Sequence, residues 1–379
     1  MPVRLSPRVE AQEQPPTSAK LAFLRSPQVY PEPTTAVQVV ETHMSWVFLT
    51  DTRAYKMKKP VRYAFLDFST LEARRRDSEA ELRLNARLAP GVYLDVVPLV
   101  RDPGAGLRLG GEGEAVEWLV RMRRLPADCM LDGLLRRHRV GPRALRVLAG
   151  VLARFYAGAA PVILPPARYL HRVQVEIETN RRVLLDPGAG LPYGITELVC
   201  SVHQDFMRRA ATLLAVRVLR GRLVEGHGDL RPEHVCMSHP PLIIDCLQFN
   251  RDLRVLDAAE DLAFLAMECE LLGAPWVGEI LFAGYTARTG DRPGERLIAF
   301  YKSYRAALRA RLAVWHLRDH KGAEAQRWRR RARAYLGLSA TYIPSFAAGA
   351  PSFLLTRKTT YSAIMSRISP NLRWPWIWR

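Results

Sequence analysis

Between Met122 and Pro126 the hydrophobic pattern of the chain changes period, and that change restricts what it can fold into. Upstream, short β-prone runs occur at Val37–Glu41, Trp46–Leu49, Ala54–Lys58, Val92–Val100 and Ala115–Met122. In a strand every second side chain points to the same face, so runs of this length fit half-buried strands. Polar turns at 42–45 and 50–52 separate the first three, and a Gly-rich loop from Gly104 to Gly113 joins the last two. One charged helix, Leu71 to Leu88, interrupts them, with Ser69 as its expected N-cap and Ala89-Pro90 as its stop. Downstream, helical spacing governs Met130–His138, Pro142–Tyr156, Tyr169–Leu185 and Thr196–Arg220, and resumes from about 253 to 338. A short strand pair brackets the turn Ser238–Pro241. The expected fold is α+β and bilobal. A small antiparallel β-rich N-terminal lobe with one helix (25–122) precedes a large, mostly helical C-terminal lobe (123–345). Residues 1–24 and 346–379 are expected to be loose tails.

Composition narrows the class without choosing a function. At 379 residues, with 48% hydrophobic and 25% charged, the chain can bury a large core and is not a disordered sequence. Five cysteines with no C-x-x-C pair argue against a zinc cluster and against a disulfide framework. No signal peptide and no apolar run long enough to span a bilayer are visible, so the expected location is the cytoplasm. The net charge of +19 attracts anions of every kind, from nucleotides to RNA or an acidic membrane. The tail Arg373-Trp374-Pro375-Trp376-Ile377-Trp378-Arg379 keeps an RNA- or membrane-binding role open, a solvated end being the simpler reading.

The chemistry concentrates around His227-Gly228-Asp229-Leu230, between a long helix and a short strand, and Asp245, at the end of the next strand. Phosphoryl transfer needs one carboxylate near the attacking hydroxyl and another on the magnesium that bridges the nucleotide phosphates. A tight loop and a strand end sixteen residues apart across a hairpin can bring two carboxylates to one cavity.

The His227–Leu230 motif resembles the catalytic loop of aminoglycoside and choline kinases and, more distantly, the H-R-D loop of protein kinases. Over about residues 25–340 the chain is similar to an uncharacterised bacterial group of aminoglycoside phosphotransferase-family proteins. The shared wording is Glu41–Leu49, Ala54–Val61, Phe65–Phe68, Glu81–Asn85 and Glu225–Leu230. Some relatives of that group carry an additional P-loop kinase domain, whereas this sequence contains no G-x-x-x-x-G-K-[ST]. The resemblance implies ATP and Mg²⁺ as cofactors, a small-molecule hydroxyl as acceptor, Asp229 with His227 as the catalytic pair and Asp245 as a metal ligand. It implies that Lys56 holds the nucleotide phosphates, with Lys58 its rival two residues on, and that Glu81 pairs with the lysine, Glu79 being the fallback. Thr42 or Ser45 would donate to phosphate, Met122 and its neighbours in 121–125 would contact adenine, and Asp261 would brace the loop.

One departure concerns the metal. The residue five after Asp229 is His234 where the family has Asn, and imidazole suits softer metals than magnesium. Either one metal suffices, or Glu233 or Gln248 supplies the missing oxygen, or the site is impaired, as in a nucleotide-binding pseudokinase. Another concerns the acceptor. Lys302, Arg305, Arg309, Arg311 and Arg318 give the helix from Leu297 to Asp319 a basic character, which suits an anionic acceptor better than a polycationic antibiotic.

Overall fold

The computed structural model describes residues 15–63, 66–102 and 106–347. Internal contacts divide the chain into two units, one ending at Leu125 and the other starting at Pro126.

The first unit is built from α1 (Thr17–Leu24), β1 (Gln38–Glu41), β2 (Ser45–Leu49), β3 (Arg53–Lys58), the small ribbon β4 (Arg62–Tyr63) and β5 (Leu66–Asp67), α2 (Leu71–Asn85), β6 (Tyr93–Asp102), β7 (Gly106–Leu109) and β8 (Glu114–Arg123). Six strands form one antiparallel sheet in the order β1-β2-β3-β8-β6-β7. Strand β2 is buried along its whole length, as its apolar sequence requires, and β3 fixes its register through Val47 opposite Lys56 and Ser45 opposite Lys58. Trp46, Phe48, Tyr55, Met57, Leu99, Val116 and Leu119 fill the core on one side.

Three expectations for this unit are corrected. The N-terminal stretch read as loose contains α1, whose Leu24 is fully buried and whose Lys20 Nζ donates to Val116 O at 2.6 Å and Glu117 Oε2 at 3.2 Å. The N-cap of α2 is Thr70, which accepts from the Ala73 amide; the Ser69 hydroxyl is engaged by Asp67 at 2.6 Å. The Gly104–Gly113 loop contains β7, paired with β6.

The second unit comprises α3 (Leu131–Arg136), α4 (Pro142–Gly158), α5 (Pro166–Leu184), α6 (Tyr193–Leu219), β9 (Leu223–Glu225), β10 (Val235–Cys236), β11 (Leu242–Ile243), β12 (Val255–Asp257), α7 (Ala258–Leu271), α8 (Trp276–Thr289), α9 (Glu295–Trp315), α10 (Gly322–Thr341) and α11 (Ile343–Phe346). Two short antiparallel pairs, β9 with β12 and β10 with β11, hold the loops that matter chemically. The region from about 253, expected to be helical, therefore opens with a strand that closes on β9. The expected C-terminal tail begins inside the core, because Phe346 is buried and its ring meets Phe206 edge-on at 5.6 Å. The rest of that tail, from 348, lies outside the described residues.

A buried ionic knot ties this unit together. The Arg217 guanidinium donates to both oxygens of Asp257, at 2.6 and 2.7 Å, and to both oxygens of Asp291, also at 2.6 and 2.7 Å. Asp257 also caps α7 and accepts from Tyr301 Oη at 2.9 Å. Among the described residues, no helix is long and apolar enough to cross a membrane.

Candidate active site

The loop carrying Asp229 leaves β9 and is clamped from beneath by α7. Asp261 accepts from the His227 amide at 2.7 Å and the Gly228 amide at 3.2 Å, and is itself fixed by Tyr156 Oη at 3.0 Å. Glycine is required at both ends of this clamp. A Cβ on Gly226 would stand 2.6 Å from Asp261 Oδ2, and Gly228 has φ +84° with Leu247 and Arg254 close by. Gly226→Ala is therefore expected to push Asp261 off the His227 amide. About 1–3 kcal/mol of stability should be lost, measurable as a lower denaturant midpoint.

The His227 ring is fully buried, and backbone occupies both of its nitrogens. Nε2 bonds Ile244 O at 2.9 Å, and Nδ1 accepts from the Asp229 amide at 3.3 Å. Burial depresses its pKa, so the ring is neutral at ordinary pH and has no nitrogen left for a reactant. Its geometry is that of a strut between β11 and the Asp229 peptide, not of a proton carrier.

Asp229 reaches partly into solvent, and its carboxylate lies 3.0 Å from Arg231 Nη2. Burial raises its pKa, but Arg231, His234 and Arg309 outweigh that and hold it below the ordinary carboxylate value. Asp245 follows β11 with φ +61°, a left-handed conformation that Asp tolerates better than most residues. His234 lies between the two acids. Its Nδ1 donates to Asp229 O at 2.8 Å, while Nε2 is 3.6 Å from Asp245 Oδ2 and accepts from Arg231 Nη2 at 3.0 Å.

This arrangement tests the expected metal set. Asp245 and Asp229 present hard carboxylate oxygens, each side chain about a quarter exposed, which fits magnesium. His234 does not fit, because the lone pair it would offer already receives a hydrogen from Arg231. Glu233 is no substitute, since its carboxylate is buried and held by Arg231 Nη1 at 2.5 Å. Arg231 was missed by the sequence reading, although its place two residues after Asp229 was a usable signal. Its guanidinium touches Asp229, Glu233 and His234.

In the first unit, the lysine and glutamate come together as expected, but both lysines take part. Glu81 is fully buried and accepts from Lys56 Nζ at 2.8 Å through one oxygen and from Lys58 Nζ at 2.5 Å through the other. Lys58 is also 3.0 Å from Asp77 and has no side-chain exposure, whereas Lys56 retains 10%. Glu79 is ruled out as a partner, because it is exposed and pairs with Arg75. Thr42 spends its hydroxyl within the β1–β2 turn, on the Ser45 amide and carbonyl, and Ser45 is buried. Met122 sits inside the sheet between Ala54 and Tyr93, and the next two amides donate to Val92 and Thr52, which takes them from the expected adenine contact. Lys58→Met is expected to destabilise the fold by roughly 3 kcal/mol, since it removes the one ammonium that Glu81 and Asp77 share and leaves Lys56 alone beside Glu81. Lys56→Met should unfold close to wild type, and thermal melts of both variants check the split.

The basic helix α9 does not present its charges to an acceptor. Lys302 pairs with Glu270, Arg305 with Glu260, Arg309 with Glu268 and Arg311 with Glu176, at 2.5, 2.7, 3.0 and 2.7 Å. Arg305 Nη1 also approaches Gly228 O at 3.4 Å, which makes it part of the loop's support. Four of the five charges behind the expectation of an anionic acceptor are thus compensated internally, while the fifth, Arg318, lies beyond α9.

No known protein-family profile matches the chain. Uncharacterised proteins of Mycobacterium tuberculosis and Mycobacterium bovis share 34% identity with it over 285 residues, 73% of this chain and 54% of theirs. The chain thus spans about half the length of the curated relatives it matches. Among solved structures, an aminoglycoside phosphotransferase from Streptomyces rimosus, in complex with ADP and streptomycin, aligns with TM-score 0.42 and 18% identity over 77% of this chain and 97% of that one. The choline/ethanolamine kinase family protein of Mesorhizobium loti aligns with TM-score 0.51 and 16% identity, covering 92% of this chain and 99% of that one. The chain has the kinase-like fold of that Mesorhizobium protein, an antiparallel β unit followed by a mostly helical one.

Proposed function

We propose that the protein is an ATP-dependent phosphotransferase that moves the γ-phosphoryl group to a hydroxyl of a small molecule. The observation that carries this reading is the Asp229 site, an ionised carboxylate on a loop clamped by Asp261, with Asp245 across His234 from it. Asp229 orients the acceptor hydroxyl and takes its proton as the oxygen attacks. Asp245 would hold magnesium, which, when bound, draws charge from the nucleotide phosphates. Lys56, held by Glu81, contacts the phosphates, while Lys58 keeps Glu81 and Asp77 neutralised. His227 positions the Asp229 peptide. Arg231 restrains Asp229, and its charge keeps that group ionised.

The kinase-like fold supports a small-molecule acceptor, and nothing on α9 favours an acidic one. Purified protein should be incubated with labelled ATP, Mg²⁺ and a library of alcohols, including choline and ethanolamine, with Asp229→Asn as the control. Label transferred to a member of the library by wild type alone supports the reading. Nucleotide bound tightly, with no transfer and no slow hydrolysis, would make the chain a pseudokinase and sink it. RNA or vesicle binding without nucleotide binding would sink it as well.

A further inference from the structure

We propose that the outward face of α10, with the exposed Tyr193 beside it, is a binding surface for a single-stranded nucleic acid, separate from the Asp229 site. The chain carries 56 basic and 37 acidic residues, and that excess is not found on α9, where four cations are matched to four acids. Helix α10 is built the other way. At about 100° per residue, Gln326, Arg327, Arg330 and Arg333 fall on one face, opposite Ala332, Tyr335 and Leu336, which lie in the core. Arg330 and Arg333 are exposed and Arg327 is half-buried. Glu324, the one acid in the helix, lies to the side of this face and pairs with His320. Among the described residues, Arg327 and Arg330 make no ion pair or side-chain hydrogen bond, and neither do Arg318 and Lys321 just before the helix. Arg329 and Arg333 donate to backbone carbonyls, Ala189 O at 3.3 Å and Gly190 O at 2.7 Å, which leaves their charge unneutralised.

Those two bonds bring a second element to the patch. Gly190 has φ +62°, and a Cβ there would stand 2.8 Å from Arg329 Nε, so glycine lets the loop before α6 lie against the arginines. Tyr193 opens α6 just beyond that loop, with 71% of its surface exposed. A solvated tyrosine beside a row of uncompensated guanidinium groups offers what a single strand needs. The cations meet successive phosphates, and the ring gives an unpaired base a face to stack on. An anionic lipid surface is the poorer fit. An interfacial helix sinks an apolar face among acyl chains, whereas the apolar face of α10 lies in the core and its outward face carries no large apolar side chain. Phosphate contacts and stacking read neither base sequence nor sugar, so RNA and DNA strands should bind alike.

The test is fluorescence anisotropy of the full chain, without ATP, with short labelled oligouridine and oligothymidine over a series of salt concentrations. Both strands should bind, and log affinity should fall against log salt by about 0.7 for each phosphate neutralised. Arg327→Gln with Arg330→Gln should weaken binding and make that slope shallower by about 1.4, two phosphates' worth. Tyr193→Ala should weaken binding about 5- to 150-fold with the slope unchanged, as for the loss of one stacked base. Arg143→Gln with Arg146→Gln, the same charge removed from exposed positions on α4, should change neither. Circular dichroism should match wild type in each variant; if the α10 pair misfolds, the exposed Arg330→Gln decides alone. No binding by wild type, or an equal loss with the α4 pair, would overturn the proposal. So would binding to phosphatidylglycerol vesicles with none to either oligonucleotide. Asp229→Asn should bind the strands like wild type, so failure here and failure of the transferase reading are told apart.

Discussion

Asp229→Asn is expected to lower phosphoryl transfer about 10²–10⁴-fold, the range lost when a positioned general base is removed. The fold should survive, because the side chain is partly exposed and the loop is held by Asp261 and His227 through backbone groups. The amide keeps the shape and a hydrogen-bond acceptor for Arg231 but cannot take a proton. Rate and stability should therefore separate, with labelled product nearly absent and the unfolding free energy within about 1 kcal/mol of wild type, the scale of one partly exposed ion pair. The sign of the pH dependence follows from the same geometry. Burial pushes Asp229 up, but Arg231 and its neighbours bring it below the ordinary carboxylate value. The base is thus ionised throughout the neutral range, and the rate falls only as pH drops through that depressed value. An Asp229→Asn protein that transferred phosphate at the wild-type rate would remove Asp229 from the chemistry.

Arg217→Met is expected to have the largest effect on stability, about 3–5 kcal/mol, because it removes one partner of a buried charge network and strands the others. Two carboxylates, Asp257 and Asp291, depend on the one guanidinium, and both are buried. The loss should spread to the cap of α7, which carries Asp261, and so reach the Asp229 loop indirectly. Urea unfolding followed by circular dichroism measures it. The acid limb gives a second reading. Burial raises Asp291, but hydrogen bonds from Arg217 and Tyr285 outweigh that and depress it. Its contribution is therefore full above the unfolded carboxylate's pKa and disappears as pH falls through the folded value. Arg217→Met should flatten that acid loss. A variant as stable as wild type would mean that water or a rearranged Arg222, which lies 3.6 Å from Asp291, replaces the fork.

Much of the fold was legible because it rests on local periodicity. Strands β2 and β3, helix α2 and helices α4 to α6 follow their apolar spacing to within a few residues at each end. What escaped depends on distant partners. Helix α1 looks like a polar tail until Glu117, 97 residues away, accepts its lysine. Strand β7 hides in a Gly-rich loop because its pairing with β6, not its own composition, makes it a strand. The motif residues of the site were readable, whereas their division of labour was not. Spacing put Lys56 and Lys58 on one strand face but could not show that one carboxylate serves both. Nor could it show that Arg305, Arg309 and Arg311 of α9 already have acids, since those acids come from α5 and α7.

The left-handed backbone at Asp245 makes this position unusually tolerant in one direction. Asn and Gly both accept that conformation, while β-branched residues do not. Asp245→Asn and Asp245→Gly should thus leave the turn after β11 unchanged while withdrawing its charge. If Asp245 holds the metal as proposed, a single change would then leave the fold intact and abolish the proposed transfer. Resemblance of shape, among chains built this way, is a poor guide to which of them still work.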